Sequence, residues 1–212
     1  MSSPSTRLKR SRSSSPQPTK SSRPKSKYDT TPTDIFFKSN KANGYTWLSN
    51  FWPFVDDTQT TSVRIGMKLS EEDMKVAVQS FPLSVSSDVT WTCKSVEHGY
   101  QALKYQGKGL HVPAQKILNA PTSLDAKKLN TKFKHDKSIG PVQLPDSQVS
   151  EAMKQVLRAK FTSNPVLKRL LLETSPKHLH EVPGRSKNVW AYASGDRLGL
   201  LLTEVRDELA LI

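Results

Sequence analysis

One segment limits what this chain can become: Ser95-Val96-Glu97-His98-Gly99-Tyr100-Gln101-Ala102-Leu103-Lys104-Tyr105. Ser95 is suited to cap a helix, because its hydroxyl can accept a first-turn N–H. Glu97 then falls in the first turn, where the helix dipole favours its charged form. Positions 96, 100 and 103 are apolar and spaced to face a core. Glu97 and Gln101 are four apart and Gln101 and Lys104 three apart, so a carboxylate, a carboxamide and an amine share a different face. A fold that contains this helix must bury one side of it and leave the other as the wall of a polar site.

The chain has 212 residues, room for one globular domain with a sizeable core plus a tail. Its net charge of +13 is unevenly placed. Residues 1–33 hold eight Lys or Arg against Asp29 alone, with ten Ser, five Pro and almost no large apolar side chains. Such a segment buries too little surface to offset its ordering entropy and is expected to be disordered. Within it, Arg7-Leu8-Lys9-Arg10-Ser11-Arg12 reads either as a nuclear address or phosphate-binding arm, or as a solubilising tail. The rest of the chain still carries +6, which favours a polyanionic ligand. No run approaches the ~18–20 apolar residues of a membrane helix, and the N-terminus lacks the apolar centre of a secretory signal. Cys93 is the only cysteine, which excludes an internal disulfide and a cysteine-based zinc site. The expectation is an intracellular protein of nucleus or cytoplasm, monomeric and without membrane association.

The ordered domain is expected over residues 34–212 as a mainly α fold with a small antiparallel β portion, an α+β domain. Ile35-Phe36-Phe37 reads as a strand and Asn43-Gly44 as a turn. The aromatic run Trp47 to Phe54 follows, with Trp47 and Trp52 expected in the core. Residues 56–90 read as a polar, β-leaning excursion, with strands at 63–65 and 76–78 around a turn at 70–73. The alternation of 89–93 suits a strand leading into the Ser95 helix. Helices are expected at 113–118, 124–130 (capped by Ser123), 150–161, 166–173 (after the Asn164-Pro165 start signal) and 197–209. Residues 131–148 and 177–195 read as loops.

Leu48-Ser49-Asn50-Phe51, Ser95-Val96-Glu97-His98 with Gln101-Ala102-Leu103-Lys104, Leu157-Arg158-Ala159-Lys160-Phe161, Trp190, and Arg197-Leu198-Gly199 through Leu209 occur in that order. In this succession the chain resembles the NADAR superfamily, also called YbiA-like, over about residues 35–212 apart from 56–90. The resemblance implies a compact, mostly helical fold and N-glycosidase activity. Known members cleave phosphoribosylamino intermediates of riboflavin synthesis or remove ADP-ribose from guanine in nucleic acid. The family's active-site glutamate maps onto Glu97, its motif lysine onto Lys104, its SNF asparagine onto Asn50 and its late tryptophan onto Trp190. Two departures stand out. Lys187 replaces the Asp that YbiA-like members often carry three residues before that tryptophan, and the loop before Leu157 lacks their Trp. No firm second carboxylate is carried over, and Asp196 reads as a cap of the last helix.

Cleaving an N-glycosidic bond builds positive charge at the anomeric carbon, which a fixed carboxylate stabilises. Glu97 is the candidate for that role, or for activating water or a ribose hydroxyl. Lys104, two turns along the same face, offers a second route, in which its amine opens the sugar to a Schiff base that water releases. The candidate catalytic residues are therefore Glu97 and Lys104. Candidate substrate-binding residues are Asn50, His98, Gln101, Arg158, Lys160, Lys187, Trp190 and Arg197. His98 reads as supporting rather than acidic, Trp190 as a base-stacking ring or packing, and Arg158, Lys160 and Arg197 as phosphate ligands or solvated helix cations. His178 and His180 suggest a metal, but nothing in the sequence pairs with them, and no metal or cofactor is expected. The expected activity is hydrolysis of the bond between ADP-ribose and a nucleobase, guanine in DNA or RNA. A riboflavin-type substrate and a non-catalytic reader of ADP-ribose or nucleic acid are the alternatives.

Overall fold

The computed structural model describes residues 28–38, 44–53, 69–183 and 189–212. The basic run at 7–12, the strand expected at 63–65, most of the excursion before residue 69, Asn43 and Lys187 lie outside the described residues. The elements run β1 (Asp34–Phe37), α1 (Glu71–Ala77), β2 (Phe81–Ser84), β3 (Thr90–Cys93), α2 (Val96–Gln106), α3 (His111–Leu118), α4 (Ser123–His135), α5 (Asp146–Ser163), α6 (Pro165–Leu172), β4 (His178–Glu181) and α7 (Arg197–Leu209).

Helix α2 is the hub, packed by α3, α4 and α5. Its apolar side buries Val96, Tyr100, Ala102 and Tyr105. Gly99 permits the close approach to α5, since a methyl group there would come 2.8 Å from Val156 Cγ1. Ser95 caps the helix as its sequence implies, its Oγ accepting the His98 N–H at 3.4 Å. Asn164 likewise caps α6, with Pro165 in the first turn. Helix α7 buries Leu198, Leu201, Leu202, Val205 and Leu209 along one stripe.

Among the described residues the β content is two separate pairs. β2 and β3 form an antiparallel ribbon, Phe81 opposite Cys93 and Leu83 opposite Trp91; the β3 strand was expected and its partner at 81–84 was not. β1 pairs in parallel with β4, Ile35 beside Leu179 and Phe37 beside Glu181. Residues 177–195 are therefore not all loop. Three of the four β4 residues are polar, so the strand carries no alternation signal of its own and depends on β1 and α7 to define it. Gly199 lets α7 lie on this strand, because a side chain there would overlap the Leu179 carbonyl.

Other expectations are corrected. Ser70 accepts the Asp73 N–H at 3.0 Å and three acids follow it in the first turn, so 70–73 starts a helix rather than a turn. Residues 76–78 then close α1 and form no strand. Thr122, not Ser123, caps α4, which continues to His135 because Phe133 packs edge-on against Tyr105 at 5.7 Å. Helix α5 starts earlier than expected, at Asp146. Among the described residues no helix is long and apolar enough to cross a membrane.

Candidate active site

The polar face of α2 opens into a cavity of about 270 Å³. Its wall includes Asn50 and Phe51 from the segment before α1, Glu97, Tyr100, Gln101 and Lys104 from α2, and Glu181 and Trp190 from the chain around β4. Lys127, Asn130, Thr131 and Lys134 of α4 complete it.

Glu97 is 2 % exposed, and burial raises its pKa, opposed by the Gln101 amide, Lys127, Lys104 and the Asn50 amide. Both of its oxygens are held. Gln101 Nε2 donates to Oε1 at 2.7 Å and Asn50 Nδ2 donates to Oε2 at 2.5 Å. Asn50 is itself fixed from the other side, since the Glu97 N–H donates to its carbonyl at 2.9 Å. Lys104 Nζ donates to Gln101 Oε1 at 2.8 Å. An ammonium has only donors, so this contact turns the Gln101 amide hydrogens toward Glu97. The result is a directed chain from Lys104 through Gln101 to Glu97, closed by Asn50. Two amide donors favour the carboxylate form.

Burial also lowers the Lys104 amine to about 8, with Glu97 opposing and Lys134 and Lys127 assisting. Its Nζ lies 4.0 Å from the centre of the Tyr100 ring, which in turn packs edge-on against Trp190 at 5.6 Å. Opposite α2, Lys127, Thr131 and Lys134 occupy one exposed face of α4 at the cavity rim. Glu181, half-buried at the end of β4, is raised to about 7 by burial and by Glu97.

Of the residues singled out in the sequence, Asn50, Glu97, Gln101, Lys104 and Trp190 meet at this cavity. Four others do not. His98 is buried beneath α2; its Nε2 faces the Ala120 carbonyl at 3.2 Å and its Nδ1 the Ser95 hydroxyl at 2.8 Å. The carbonyl can only accept, so Nε2 carries the hydrogen, and burial lowers the ring to about 4. Its task is to tie the start of α2 to the end of α3. Arg158 makes a bidentate pair with Glu208 across the α5–α7 seam, at 2.8 and 3.1 Å. Lys160 is sunk in the core and donates to the Trp47 carbonyl at 2.6 Å. Arg197 pairs with Asp146 at 3.2 Å and lines a different groove with Lys154 and Glu204.

Asp196 occupies the N-cap position of α7, but its side chain makes no cap hydrogen bond. Its Oδ2 lies 2.6 Å from His180 Nδ1, while Asp34 Oδ1 takes the other ring nitrogen at 3.1 Å. This clamp engages both ring nitrogens of His180. Among the described residues no three of His, Cys, Asp and Glu converge as a metal site. Cys93 is buried behind Gly99 and its thiol is pushed up to about 12. Trp47 and Trp52 are core residues, as expected.

The sequence reading missed Glu181, Tyr100 as a wall residue, and the α4 rim. A lysine repeat at 127 and 134 with Thr131 between was a legible stripe, but the expected helix ended at residue 130. Glu181 had no local signal.

Together, fold and site define a mainly helical α+β domain arranged around a cleft with a buried, amide-held carboxylate. The NADAR domain model matches residues 36–210, and the chain belongs to the NADAR family. That family is associated with N-glycosidase activity. The NMR structure of the Escherichia coli protein YbiA is similar, with a TM-score of 0.55 and 25% identity over 87% of this chain and 89% of that one. No curated protein matches the chain.

Proposed function

We propose that this protein is an N-glycosidase that hydrolyses the bond between ADP-ribose and a nucleobase, with guanine in nucleic acid as the base. The observation that carries this reading is Glu97, buried with each carboxyl oxygen accepting an amide N–H at a cavity large enough for a nucleoside-sized group. A carboxylate so fixed stabilises the cationic anomeric carbon at no reorganisation cost during the reaction. The lysines of α4 at the rim suit the diphosphate of ADP-ribose. The Tyr100–Trp190 pair suits a planar base. The +13 charge, half of it in the first 33 residues, supports a nucleic-acid carrier for that base.

The test is incubation with an oligonucleotide carrying ADP-ribosylated guanine. Free ADP-ribose and restored oligonucleotide are expected, with release lost in Glu97→Gln. Label retained while a ribosylaminopyrimidine phosphate is cleaved would replace this substrate with the riboflavin-type one. ADP-ribose binding without turnover of either would make the protein a reader.

A further inference from the structure

Glu181 is a second carboxylate on the cavity wall, beside Glu97. It ends β4, in register with Phe37, and the next residue, Val182, donates its N–H to the Phe37 carbonyl at 2.8 Å. The His180 clamp fixes the preceding residue, and α7 rests on the strand at Leu179. The side chain is thus presented to the cavity from a rigid support. Charged groups reach it from each neighbouring element: Glu97 from α2, Lys127 from α4, Lys38 after β1 and Asp196 before α7.

The two acids differ in surroundings. Glu97 receives two amide N–H donors, one on each oxygen. Glu181 shares its space with two other carboxylates, and burial and Glu97 push it up to about 7. Burial raises both acids, but Glu97 has an amide N–H on each oxygen to hold the anion, which leaves the role of proton carrier to Glu181.

We propose that Glu181 is the proton donor to the departing base, working opposite Glu97. The inference rests on the N-glycosidase reading. As the C1′–N bond breaks, its electron pair goes to the base nitrogen, which takes the proton from the Glu181 carboxyl. Glu97, unchanged in charge, faces the cationic sugar carbon. Water then adds its oxygen to C1′ and returns a proton to the Glu181 carboxylate. The sum is hydrolysis, and both acids end as they began.

The experiment is the pH dependence of kcat on the ADP-ribosylated guanine oligonucleotide, measured for the full-length protein and two variants. Wild-type turnover should decline above about pH 7 as Glu181 loses its proton. Glu181→Gln should lower kcat at least ~100-fold and remove that alkaline decline, because an amide has no proton to lose. Glu181→Asp should recover part of the rate and restore the decline. A Glu181→Gln enzyme within threefold of wild type, or one slowed but with the same alkaline decline, overturns the inference and leaves the N-glycosidase reading standing. No turnover by wild type on any N-glycoside instead removes that reading. Should Glu181→Gln fail to fold, ¹³C-carboxyl labelling of glutamate in the wild-type protein decides. A Glu181 signal titrating in step with kcat supports the assignment, and one titrating below pH 5 overturns it.

Discussion

Lys104 and Lys160 invite comparison. Both were singled out in the sequence as cations on helices within family motifs. Both are drawn inward, and burial lowers both amines, to about 8 and about 7. They part company at the nitrogen. Lys104 Nζ meets the Gln101 side chain and a cavity that also holds Glu97. Lys160 Nζ meets the Trp47 carbonyl, with the Trp52 and Phe161 rings about it at 5.3 and 5.0 Å. The one amine can reach a ligand; the other completes a loop that would otherwise bury an unpaired carbonyl. A lowered pKa therefore marks burial, and only the partner of the nitrogen distinguishes a site from a strut.

Removing each amine in turn tests the difference between the two lysines. Lys104→Ala is expected to cost about 10³-fold in kcat, roughly 4 kcal/mol of barrier, with little change in melting temperature. Borohydride added during turnover should trap sugar on Lys104 if the amine attacks the anomeric carbon, and never on Lys160. Next in size, Lys160→Ala should leave kcat of the folded protein within threefold but lower stability by about 3 kcal/mol. It removes packed methylenes and strips the Trp47 carbonyl of its donor. Chemical denaturation beside steady-state kinetics checks both. A stability loss without a rate loss in Lys104→Ala would merge the two lysines into one class.

Their pH signatures sharpen the contrast further. An unfolded lysine keeps its proton up to about pH 10.4, whereas Lys160 in the folded state gives it up near 7. Between these values the unfolded state of this group binds more protons, so its contribution makes stability rise with pH. The slope from this group is at most about 1.4 kcal/mol per pH unit. Lys160→Met, which keeps the volume and loses the amine, should flatten that rise between pH 7 and 10. Urea titrations at pH 7, 8.5 and 10 measure it. An unchanged slope would place the lost proton on another group.

How far the sequence revealed this site follows the same line between local and distant determinants. The α2 face, the Ser95 and Asn164 caps and the whole of α7 were legible, because each rests on spacing within one segment. The fate of Lys160 was not. The Leu157-Arg158-Ala159-Lys160-Phe161 stretch has the same local appearance whether Lys160 points to water or to a carbonyl 113 positions away. β4 escaped for the same reason, since its partner lies 144 residues earlier. Glu181 reaches the cavity only because that strand exists. The resemblance to a family pointed correctly to the motifs, but within a motif it did not distinguish residues that face the cleft from residues that hold it up.

Arg158 supplies the smallest effect and the control for the other three. It lies two residues from Lys160 in the same motif and carries the same charge, yet its side chain is 43% exposed and bound to Glu208. Glu208 is drawn down to about 2 by Arg158 and then Lys154. Lys154 also holds Glu208 at 2.9 Å, so truncating the arginine leaves the acid with a partner. Exposed pairs of this kind contribute about 0–1 kcal/mol, less at high salt. Arg158→Ala is therefore expected to change stability by under about 1 kcal/mol and to leave both kcat and KM for the ADP-ribosylated oligonucleotide in place. A KM raised tenfold or more with stability intact would mean that the phosphate or nucleic-acid chain runs over the α5–α7 seam. Arg158 would then move from the company of Lys160 to that of Lys104, and the boundary of the binding surface would shift to the far side of α5.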